Sequence, residues 1–542
     1  MQSSKTIIRS LFFIMFLSVV LLSVMAKTVA INDPHAFADH TSRRMQTMSI
    51  VDDYYVNGVD LLRPKTNYAG WPGYLVLEFP LFQAMAAWTA KITGHTLTAA
   101  RWLNLAIGTF SLLIAYWITL TTTQRTAAAQ YAVVMMAFSP LHMRYHPSGL
   151  VDVLGAMLCL SAYLLLLKYL KNPHRGVLTL LIVMSAVGLV IKPLYYFPVA
   201  LLYLMHFFNT IPAFTPRAIL SAVFHRERTL VVTFLFLIGV LAGWLYTVKL
   251  YDVSQVDHIS HLGELTLANY DARFFVTIGQ RVLLMFVNPV GSLLFLIGAV
   301  LIWKKWRLAT PTALVLCIPL YYIIFPSINK PHDYYSMAVT PFAAIVAGYG
   351  AMWLEDQLVT QGAAWAKYTL RMTMFTLIAA ISVMVFILNI VTGTANLASP
   401  YRAAAKELTP VMEPYQHTVA FLNREADYSL EQYMLHDRGQ YIMFKLGMIS
   451  VEQIHQRPPK HILSTPQLFY AIKQYGHSSR VPERGFEMDV DLLQSQYEGH
   501  LRYMLFYRFD PAIIAARMQG RHLIHQSSDW LVYDLNPSSS NR

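Results

Sequence analysis

NGVDLLRPKTNYAGWPGYLVLEFPLFQ, residues Asn57 to Gln83, lies at the centre of a polar segment, residues 31–101, between the first two long apolar runs. The segment is too polar to sit in lipid and too long for a turn, and loops of this length are usually functional or disordered. Its aromatic and apolar content argues against disorder. We interpret it as a partly helical cap on the membrane surface that forms one wall of an active site. An ordinary extracytoplasmic loop with scattered surface charges is the alternative.

The composition places this segment in an integral membrane protein. Of 542 residues, 55% are hydrophobic and 13% are charged, whereas soluble domains carry about 25% charged residues. The basic residues behind the net charge of +12 are spread between apolar runs, which is typical of cytoplasmic loops and not of a nucleic-acid-binding patch. Cys159 and Cys317 both fall inside apolar runs, which excludes a disulfide framework and a cysteine metal site.

Eleven apolar runs are candidate membrane spans, because a span needs about 20 apolar residues. They are residues 7–30, 97–121, 126–141, 149–168, 176–191, 193–208, 229–250, 282–303, 309–326, 335–354 and 370–393. The first run is expected to be an uncleaved anchor, although its flanks also fit a cleavable signal peptide. The basic connections predict a cytoplasmic N-terminus. The same rule puts these polar connections on the outer face: residues 31–101, 142–148, 251–281, 327–334, Lys192 and the C-terminal tail.

The composition changes near residue 395. Residues 1–395 are predicted to form the transmembrane domain, and residues 396–542 a soluble α/β domain outside the membrane. Short β-like runs (HTVAFL, KHILST and WLVYDL) alternate there with helix-like runs (DYSLEQYML and DPAIIAARM). The sequence therefore predicts a polytopic α-helical membrane protein of about eleven transmembrane helices, with a large first periplasmic loop and a C-terminal α/β domain.

Three carboxylates on the predicted outer face are candidates for acid–base chemistry. Asp39 follows the first apolar run, Glu78 lies where the chain returns to the membrane, and Asp152 opens the fourth run. A carboxylate at the start of an apolar helix is costly to desolvate and often functional. For Asp152 the alternative is a helix N-terminal charge that the macrodipole stabilises.

Cations on the same face suggest an anionic partner such as a lipid phosphate, because they run against the positive-inside bias. Lys192 ends an apolar run, His332 lies beside two tyrosines, and Arg43 lies in the first loop; Arg144, His142 and His146 are further members. For Lys192 the alternative is a snorkelling lysine, and for His332 an interfacial loop histidine.

Several motifs occur in a characteristic order. They are EFPLFQ, Gly94, TAARWLN, FSPLHMRYHPSGLVD, an outer lysine in IKPL, and HDYY. The ordered set resembles the polytopic glycosyltransferases of the C-type (GT-C) fold, the group of the dolichyl-phosphate-mannose protein mannosyltransferases and bacterial aminoarabinose transferases. Bacterial family 39 glycosyltransferases are the most similar members. The resemblance covers residues 1 to about 395.

The resemblance implies roles for particular residues. An outer-loop aspartate near the first span is the general base in such enzymes, and Asp39 is the nearest acid here. An H-x-x-R-Q-x-D-T-like stretch is matched at His40, Arg43 and Thr47, with Gln46 in place of the acid, so Asp39, Glu78 and Asp152 share the expected catalytic role. The residues expected to bind the donor phosphate are Lys192, His332, Tyr335, Arg43 and His40. Some relatives bind a divalent metal at the acidic residues; with Gln46 here, no metal ligand is assigned.

The implied reaction is transfer of a hexose or pentose from a polyprenyl-phosphate donor to an acceptor hydroxyl or phosphate, with inversion, at the periplasmic face of a bacterial inner membrane. A carboxylate takes the acceptor's proton, and the cations stabilise the departing phosphate. The acceptor is a lipid, glycan or protein.

Two other functions fit a polytopic chain of this kind. One is a transporter or flippase of lipid-linked saccharides, and the other is a polymerase or ligase of surface polysaccharide. Transporters tend to carry charges at mid-membrane and internal repeats. Here the predicted spans are nearly free of charges at mid-depth, the polar groups gather at one face, and no internal repeat is visible. The early outer loop and the soluble tail favour the transferase over a polymerase. No Walker pattern or glycine-rich phosphate loop is present, so nothing supports a soluble nucleotide-sugar mechanism.

Overall fold

The computed structural model describes residues 2–29, 31, 41–64, 78–211, 215–221, 223–224, 227–251, 270–306, 310–330, 332–359, 364–396, 411, 417–422, 448–450, 501–507, 511–528 and 530–535. The chain divides into two compact units. The first comprises Met1–Phe37, Arg101–Thr247 and Asp257–Ile390, and the second Ala38–Ala100, Val248–Val256 and Val391–Arg542. The division of the chain into domains at residue 395 stays a prediction.

The described residues form a series of helices. In chain order they are α1 (Gln2–Thr28), α2 (Thr41–Asn57), α3 (Leu81–Thr93), α4 (Thr96–Thr123), α5 (Thr126–Ala137), α6 (Pro140–Tyr145), α7 (Asp152–Lys171), α8 (Arg175–Ile191), α9 (Phe197–Thr210), α10 (Pro216–Ser221), α11 (Arg228–Tyr251), α12 (Ala272–Gln280), α13 (Asn288–Trp306), α14 (Ala313–Ile324), α15 (Pro326–Asn329), α16 (Thr340–Leu358), α17 (Ala364–Asn396) and α18 (Pro511–Arg517). Two 3₁₀ helices, Pro193–Tyr196 and Asp333–Ala338, and a π-helix, Arg281–Phe286, connect some of them.

Each of the eleven apolar runs overlaps one of these helices. Six helices are long and apolar enough to cross a membrane by length and composition: α1, α4, α7, α11, α13 and α17. Helix α11 has the least buried of these windows, at 6%, and Leu235 on it is 61% exposed. Exposed apolar side chains of this density are expected of a surface that faces lipid. The number of eleven spans stays a prediction.

Helix α16 lies at the centre of the first unit, against α5 and α13. Glycines allow this close approach. A Cβ atom on Gly350 would lie 2.0 Å from the carbonyl oxygen of Leu294, and one on Gly298 would lie 2.0 Å from that of Val346. On the α5 side, a Cβ on Gly348 would lie 2.6 Å from the carbonyl oxygen of Ala128. Helices in membranes pack through small residues in this way.

Substitution of Gly350 by alanine is therefore expected to destabilise the protein by about 3 kcal/mol, the upper part of the range for overpacking, because main-chain atoms cannot move aside. Gly243 in α11 is the matched control, since its Cβ would meet nothing within 4 Å. There the higher helix propensity of alanine favours the variant by about 1 kcal/mol at most. The midpoint of thermal aggregation in detergent should fall for Gly350→Ala alone. Equal midpoints would contradict the close packing of α16 and α13.

A buried ionic network joins α1, α5, α16 and α17. Arg371 binds both carboxylate oxygens of Glu355, at 2.7 Å from Nε and 2.5 Å from Nη2. Its Nη1 donates to Gln130 at 2.9 Å, and the Tyr131 hydroxyl donates to Glu355 at 3.0 Å. The guanidinium also lies 5.1 Å from the ring centre of Phe12. A bidentate pair satisfied on every side in this way fixes the helices that contribute to it.

The second unit contains α2, α3 and a five-stranded sheet. Helix α3 ends at Gly94, whose φ of 78° is the left-handed conformation that favours glycine at this position. The strands are β1 (His417–Leu422), β2 (Met448–Ser450), β3 (Leu501–Tyr507), β4 (His522–Gln526) and β5 (Trp530–Asp534). They lie in the order β2-β1-β3-β5-β4; β1 is parallel to β2 and β3, and β5 is antiparallel to β3 and β4.

Part of the predicted α/β pattern of the tail is visible in these elements. HTVAFL is β1, WLVYDL contains β5, and DPAIIAARM contains α18. KHILST and DYSLEQYML lie outside the described residues.

Candidate active site

Asp152 is the first residue of α7 and is fully buried. Its Oδ1 atom lies 2.8 Å from the hydroxyl of Tyr195 and 3.4 Å from Nζ of Lys192. Within the described part of the chain, its Oδ2 atom has no hydrogen-bond partner. A buried carboxylate normally satisfies both oxygens. Asp152 therefore has one oxygen held in place by Tyr195 and Lys192, and one buried oxygen with no partner among the described residues.

Lys192 connects α8 to the 3₁₀ helix Pro193–Tyr196 and is 6% exposed. Gly155, one turn after Asp152, makes room for it, because a Cβ there would lie 3.0 Å from Cγ of Lys192. The ammonium group also lies 5.2 Å from the ring centre of Tyr335, a cation–π distance. The structure thus brings together three of the predicted residues, Asp152, Lys192 and Tyr335. With Tyr195 they form a group of four side chains that we call the Asp152 cluster.

His332, Tyr334 and Tyr335 form an aromatic group beside this cluster. The ring centres of Tyr334 and Tyr335 are 4.6 Å apart, and the ring of His332 is 5.3 Å from the first and 6.2 Å from the second. Tyr335 and His332 are half-buried, whereas Tyr334 is buried. His332 is therefore near the Asp152 cluster, as expected, through its contact with Tyr335.

An apolar cavity of about 290 Å³ lies between α7, α8, α9 and α11. Pro193 and Leu194, which directly follow Lys192 in the chain, line one part of it, and Phe325 lines it from the end of α14. A cavity lined by apolar side chains and adjoining a few polar groups is the usual form of a ligand pocket. Here the residue that carries a buried ammonium group, Lys192, is followed in the chain by two residues that line an apolar cavity.

A second buried aspartate, Asp333, opens the 3₁₀ helix that carries Tyr334 and Tyr335. It accepts hydrogen bonds from Nη1 of Arg144 at 3.1 Å and from the hydroxyl of Tyr145 at 2.5 Å. Arg144 was predicted to be an outer-face cation, whereas no role was predicted for Asp333. The motif HDYY contains Asp333, but one sequence offers no signal that pairs it with a residue 189 positions away.

His142 and His146 were also grouped with the outer-face cations, and here the structure differs. Both are fully buried, with their rings stacked 4.6 Å apart. Nδ1 of His142 lies 2.9 Å from the carbonyl oxygen of Met136, so Nδ1 carries the proton. Burial lowers the pKa of His142 to about 3 and that of His146 well below its usual value. Both rings are therefore neutral at physiological pH, because desolvation disfavours the charged imidazolium.

Arg43, which was predicted to bind the donor phosphate, and Glu78, which was predicted to be catalytic, form an ion pair with each other in the second unit. Gln83 of α3 donates to the other oxygen of Glu78 at 3.1 Å. Glu78 is 5% exposed. These contacts join α2 to the start of α3, so both residues at least hold the first loop together. Their assigned roles in the reaction stay predictions.

Asp39 and His40 lie outside the described residues, so their assignments also stay predictions. Among the described residues, no three His, Cys, Asp or Glu side chains are grouped as a metal site. Among the described residues of the first unit, Asp152 is a buried carboxylate with one unpartnered oxygen, and its immediate cation is Lys192.

The chain matches no protein-family model and no curated protein. Among solved structures it is similar to ArnT from Cupriavidus metallidurans bound to undecaprenyl phosphate, at 13% identity with a TM-score of 0.55, over 96% of this chain and 97% of that one. It is also similar to the apo state of that ArnT, at 13% identity with a TM-score of 0.56, over 98% of each chain. At this identity the likeness shows the fold.

Proposed function

The chain has the GT-C fold, and from that premise we propose that it is an integral-membrane glycosyltransferase that uses a polyprenyl-phosphate-linked sugar. The observation that carries the proposal is the Asp152 cluster, whose Lys192 is followed directly in the chain by Pro193 and Leu194, two residues that line the apolar cavity. The donor in such a reaction is an anionic head group joined to a long apolar chain. A buried ammonium group, followed in the chain by residues that line an apolar cavity, fits both parts of that molecule.

In this proposal Lys192 binds the donor phosphate, and the cavity that begins at Pro193 takes the nearest part of the polyprenyl chain. ArnT was solved with undecaprenyl phosphate bound, which supports a ligand of this chemistry for the shared fold. When the bond to the sugar breaks, negative charge develops on the phosphate. An ammonium group already in place stabilises that charge without reorganisation. His332 and Tyr335 form the accessible edge of the site, where the head group enters.

Asp152 is the proposed general base. Tyr195 and Lys192 hold its Oδ1 atom, and Oδ2 takes the proton of the acceptor hydroxyl. The oxygen of the acceptor attacks the anomeric carbon, the bond from that carbon to the phosphate oxygen breaks, and the configuration inverts. Polyprenyl phosphate leaves with the electron pair. We place this reaction at the periplasmic face of a bacterial inner membrane, with the N-terminus in the cytoplasm. Asp39 and Glu78 remain further candidates for the base.

Substitution of Lys192 by methionine is expected to weaken binding of undecaprenyl phosphate by about 10- to 100-fold, the range for a lost hydrogen bond to a charged group. Methionine keeps most of the volume of the side chain. Binding would be measured by tryptophan fluorescence or by microscale thermophoresis in detergent. The matched control is Lys330→Met, which removes a partly exposed lysine whose Nζ is 2.7 Å from Asp271 and should leave the affinity unchanged. Unchanged affinity in folded Lys192→Met would mean that Lys192 is a snorkelling lysine.

A further inference from the structure

The 3₁₀ helix Asp333–Ala338, which we call the 333–338 segment, makes two contacts with the Asp152 cluster. The carbonyl oxygen of Tyr334 lies 3.0 Å from the hydroxyl of Tyr195, which also contacts Asp152. The ring of Tyr335 lies under the ammonium group of Lys192. A shift of this segment would therefore move a wall of the site and change the surroundings of both charged groups.

Neutral hydrogen bonds hold the middle of the segment. The hydroxyl of Tyr321 donates to the carbonyl oxygen of Tyr335 at 3.2 Å, and that of Tyr322 donates to Oγ of Ser336 at 2.7 Å. Both tyrosines belong to α14. The first residue of the segment is held differently, by the charged pair of Asp333 and Arg144 with the added hydroxyl of Tyr145. Charge-assisted hydrogen bonds are roughly twice as strong as neutral ones.

The Asp333–Arg144 pair is also partly shielded from water, and the helix that carries Arg144 is packed against its neighbours. The side chain of Asp333 is 10% exposed and that of Arg144 is 24% exposed, so water weakens their attraction less than at an open surface. Arg144 lies in α6, which also carries the fully buried His142, whose Nδ1 donates to the carbonyl oxygen of Met136. The ring of His146, just after α6, packs so close to Gly108 that a Cβ there would lie 2.4 Å from it.

We propose that Asp333 is a positioning residue, whose ion pair with Arg144 holds the 333–338 segment against Lys192 and Tyr195. The pair thereby sets the geometry of the Asp152 cluster without touching the substrate. The simpler role for Asp333 is stabilisation of the N-terminus of its own 3₁₀ helix. That role does not need Arg144. Substitution of Arg144 alone should therefore disturb the Asp152 cluster if Asp333 acts through the ion pair, and should leave it unchanged if Asp333 only stabilises its own helix.

The test measures how accessible the Lys192 amine is, which needs no substrate. Purified wild type, Asp333→Asn, Arg144→Gln and the double variant would be reductively methylated with formaldehyde and borohydride, and the rate at each lysine followed by peptide mass spectrometry. We expect Lys192 to react roughly 3- to 30-fold faster in either single variant than in the wild type, which is the range for coupled pairs. The double variant should react at the same rate as the single variants, because both substitutions break the same ion pair. Lys330 serves as the internal control, and Asp356→Asn as the control for loss of a distant ion pair.

Three outcomes would overturn the proposal, and a fourth would support it. A normal Lys192 rate in Arg144→Gln with a raised rate in Asp333→Asn would mean that Asp333 only stabilises its own helix. Rates that multiply in the double variant, or normal rates in both single variants, would overturn the proposal as well. Restoration of the wild-type rate by Arg144→Lys, which keeps the charge, would support it.

The kinetic consequence rests on the proposed function. With a lipid-linked donor that turns over, we expect both single variants to raise KM for the donor and to lower kcat less, since the segment shapes the site but does no chemistry. A fall in kcat at unchanged KM would contradict a positioning role. Absence of turnover in the wild type would count against the proposed function alone, because the methylation result does not depend on it.

Discussion

Asp152→Asn is expected to lower the rate of sugar transfer by about 10²- to 10⁴-fold, the range for loss of a positioned general base. Asparagine has the same shape, and its side-chain oxygen can still accept the hydrogen bond from Tyr195. It cannot take a proton from an acceptor hydroxyl at neutral pH. Because the shape is kept, the variant should fold, and its rate of transfer with a lipid-linked donor measures the role of the carboxylate itself.

The matched control is Asp271→Asn. Asp271 also pairs with a lysine, Lys330, and it caps α12 by accepting a hydrogen bond from the main-chain N–H of Phe274. These hydrogen bonds lower the pKa of Asp271. Asparagine is an equally good helix cap, so this variant should transfer sugar at the wild-type rate. Near-normal transfer by Asp152→Asn, from protein that elutes as a single folded species, would exclude Asp152 as the base and leave Asp39 and Glu78.

Glu355→Leu is expected to destabilise the fold by about 3–5 kcal/mol, because it leaves the guanidinium of Arg371 buried without a counter-charge. Glu355 is 1% exposed and Arg371 is 8% exposed, so water cannot take the place of the carboxylate. The expected readout is a large fall in the midpoint of thermal aggregation in detergent. The double variant Glu355→Leu with Arg371→Met should recover much of the loss, since apolar residues of similar volume often replace a buried pair without cost.

Asp356→Asn is the control for this second prediction. Asp356, the next residue, pairs with Arg125 at 2.7 Å and Lys367 at 2.6 Å, but all three side chains are at least 30% exposed. Exposed pairs contribute about 1 kcal/mol or less, so the midpoint should change little. If the double variant is no more stable than Glu355→Leu alone, the prediction is contradicted. The network would then stabilise the fold through more than the pairing of the buried charge of Arg371.

Much of the helical pattern could be predicted from composition, because a membrane span requires a long apolar run whatever its neighbours are. The eleven runs accordingly overlap α1, α4, α5, α7, α8, α9, α11, α13, α14, α16 and α17. The ordered motifs also pointed to the GT-C fold, which the similarity to ArnT confirms. Asp152 was chosen because a carboxylate at the start of an apolar helix is costly to desolvate and often functional. Lys192 was chosen as a cation on the predicted outer face, and Tyr335 because the resemblance places it on the donor-phosphate side.

The pairing of side chains could not be predicted in the same way. Tyr195 and Asp152 are separated by 43 positions in the sequence, and Arg144 and Asp333 by 189 positions. No local pattern in one sequence indicates that residues so far apart along the chain are in contact. For His142 in α6 and His146 just after it, the predicted charge was wrong. Their position near a span end suggested charge, whereas complete burial lowers their pKa values and makes them neutral. Burial depends on the packing of α4, α5 and α6, which hydropathy does not reveal.

Release of undecaprenyl phosphate is the measurement that tests the central claim most directly. Purified protein would be reconstituted in liposomes with a panel of undecaprenyl-phosphate hexoses and pentoses and with extracted envelope lipids, glycans and peptides as acceptors. We predict that wild-type protein releases undecaprenyl phosphate from one donor class in step with formation of a glycosylated acceptor, and that Asp152→Asn does not. Movement of an intact donor across the bilayer, with no release from any donor by folded wild-type protein, would contradict the account and favour a flippase.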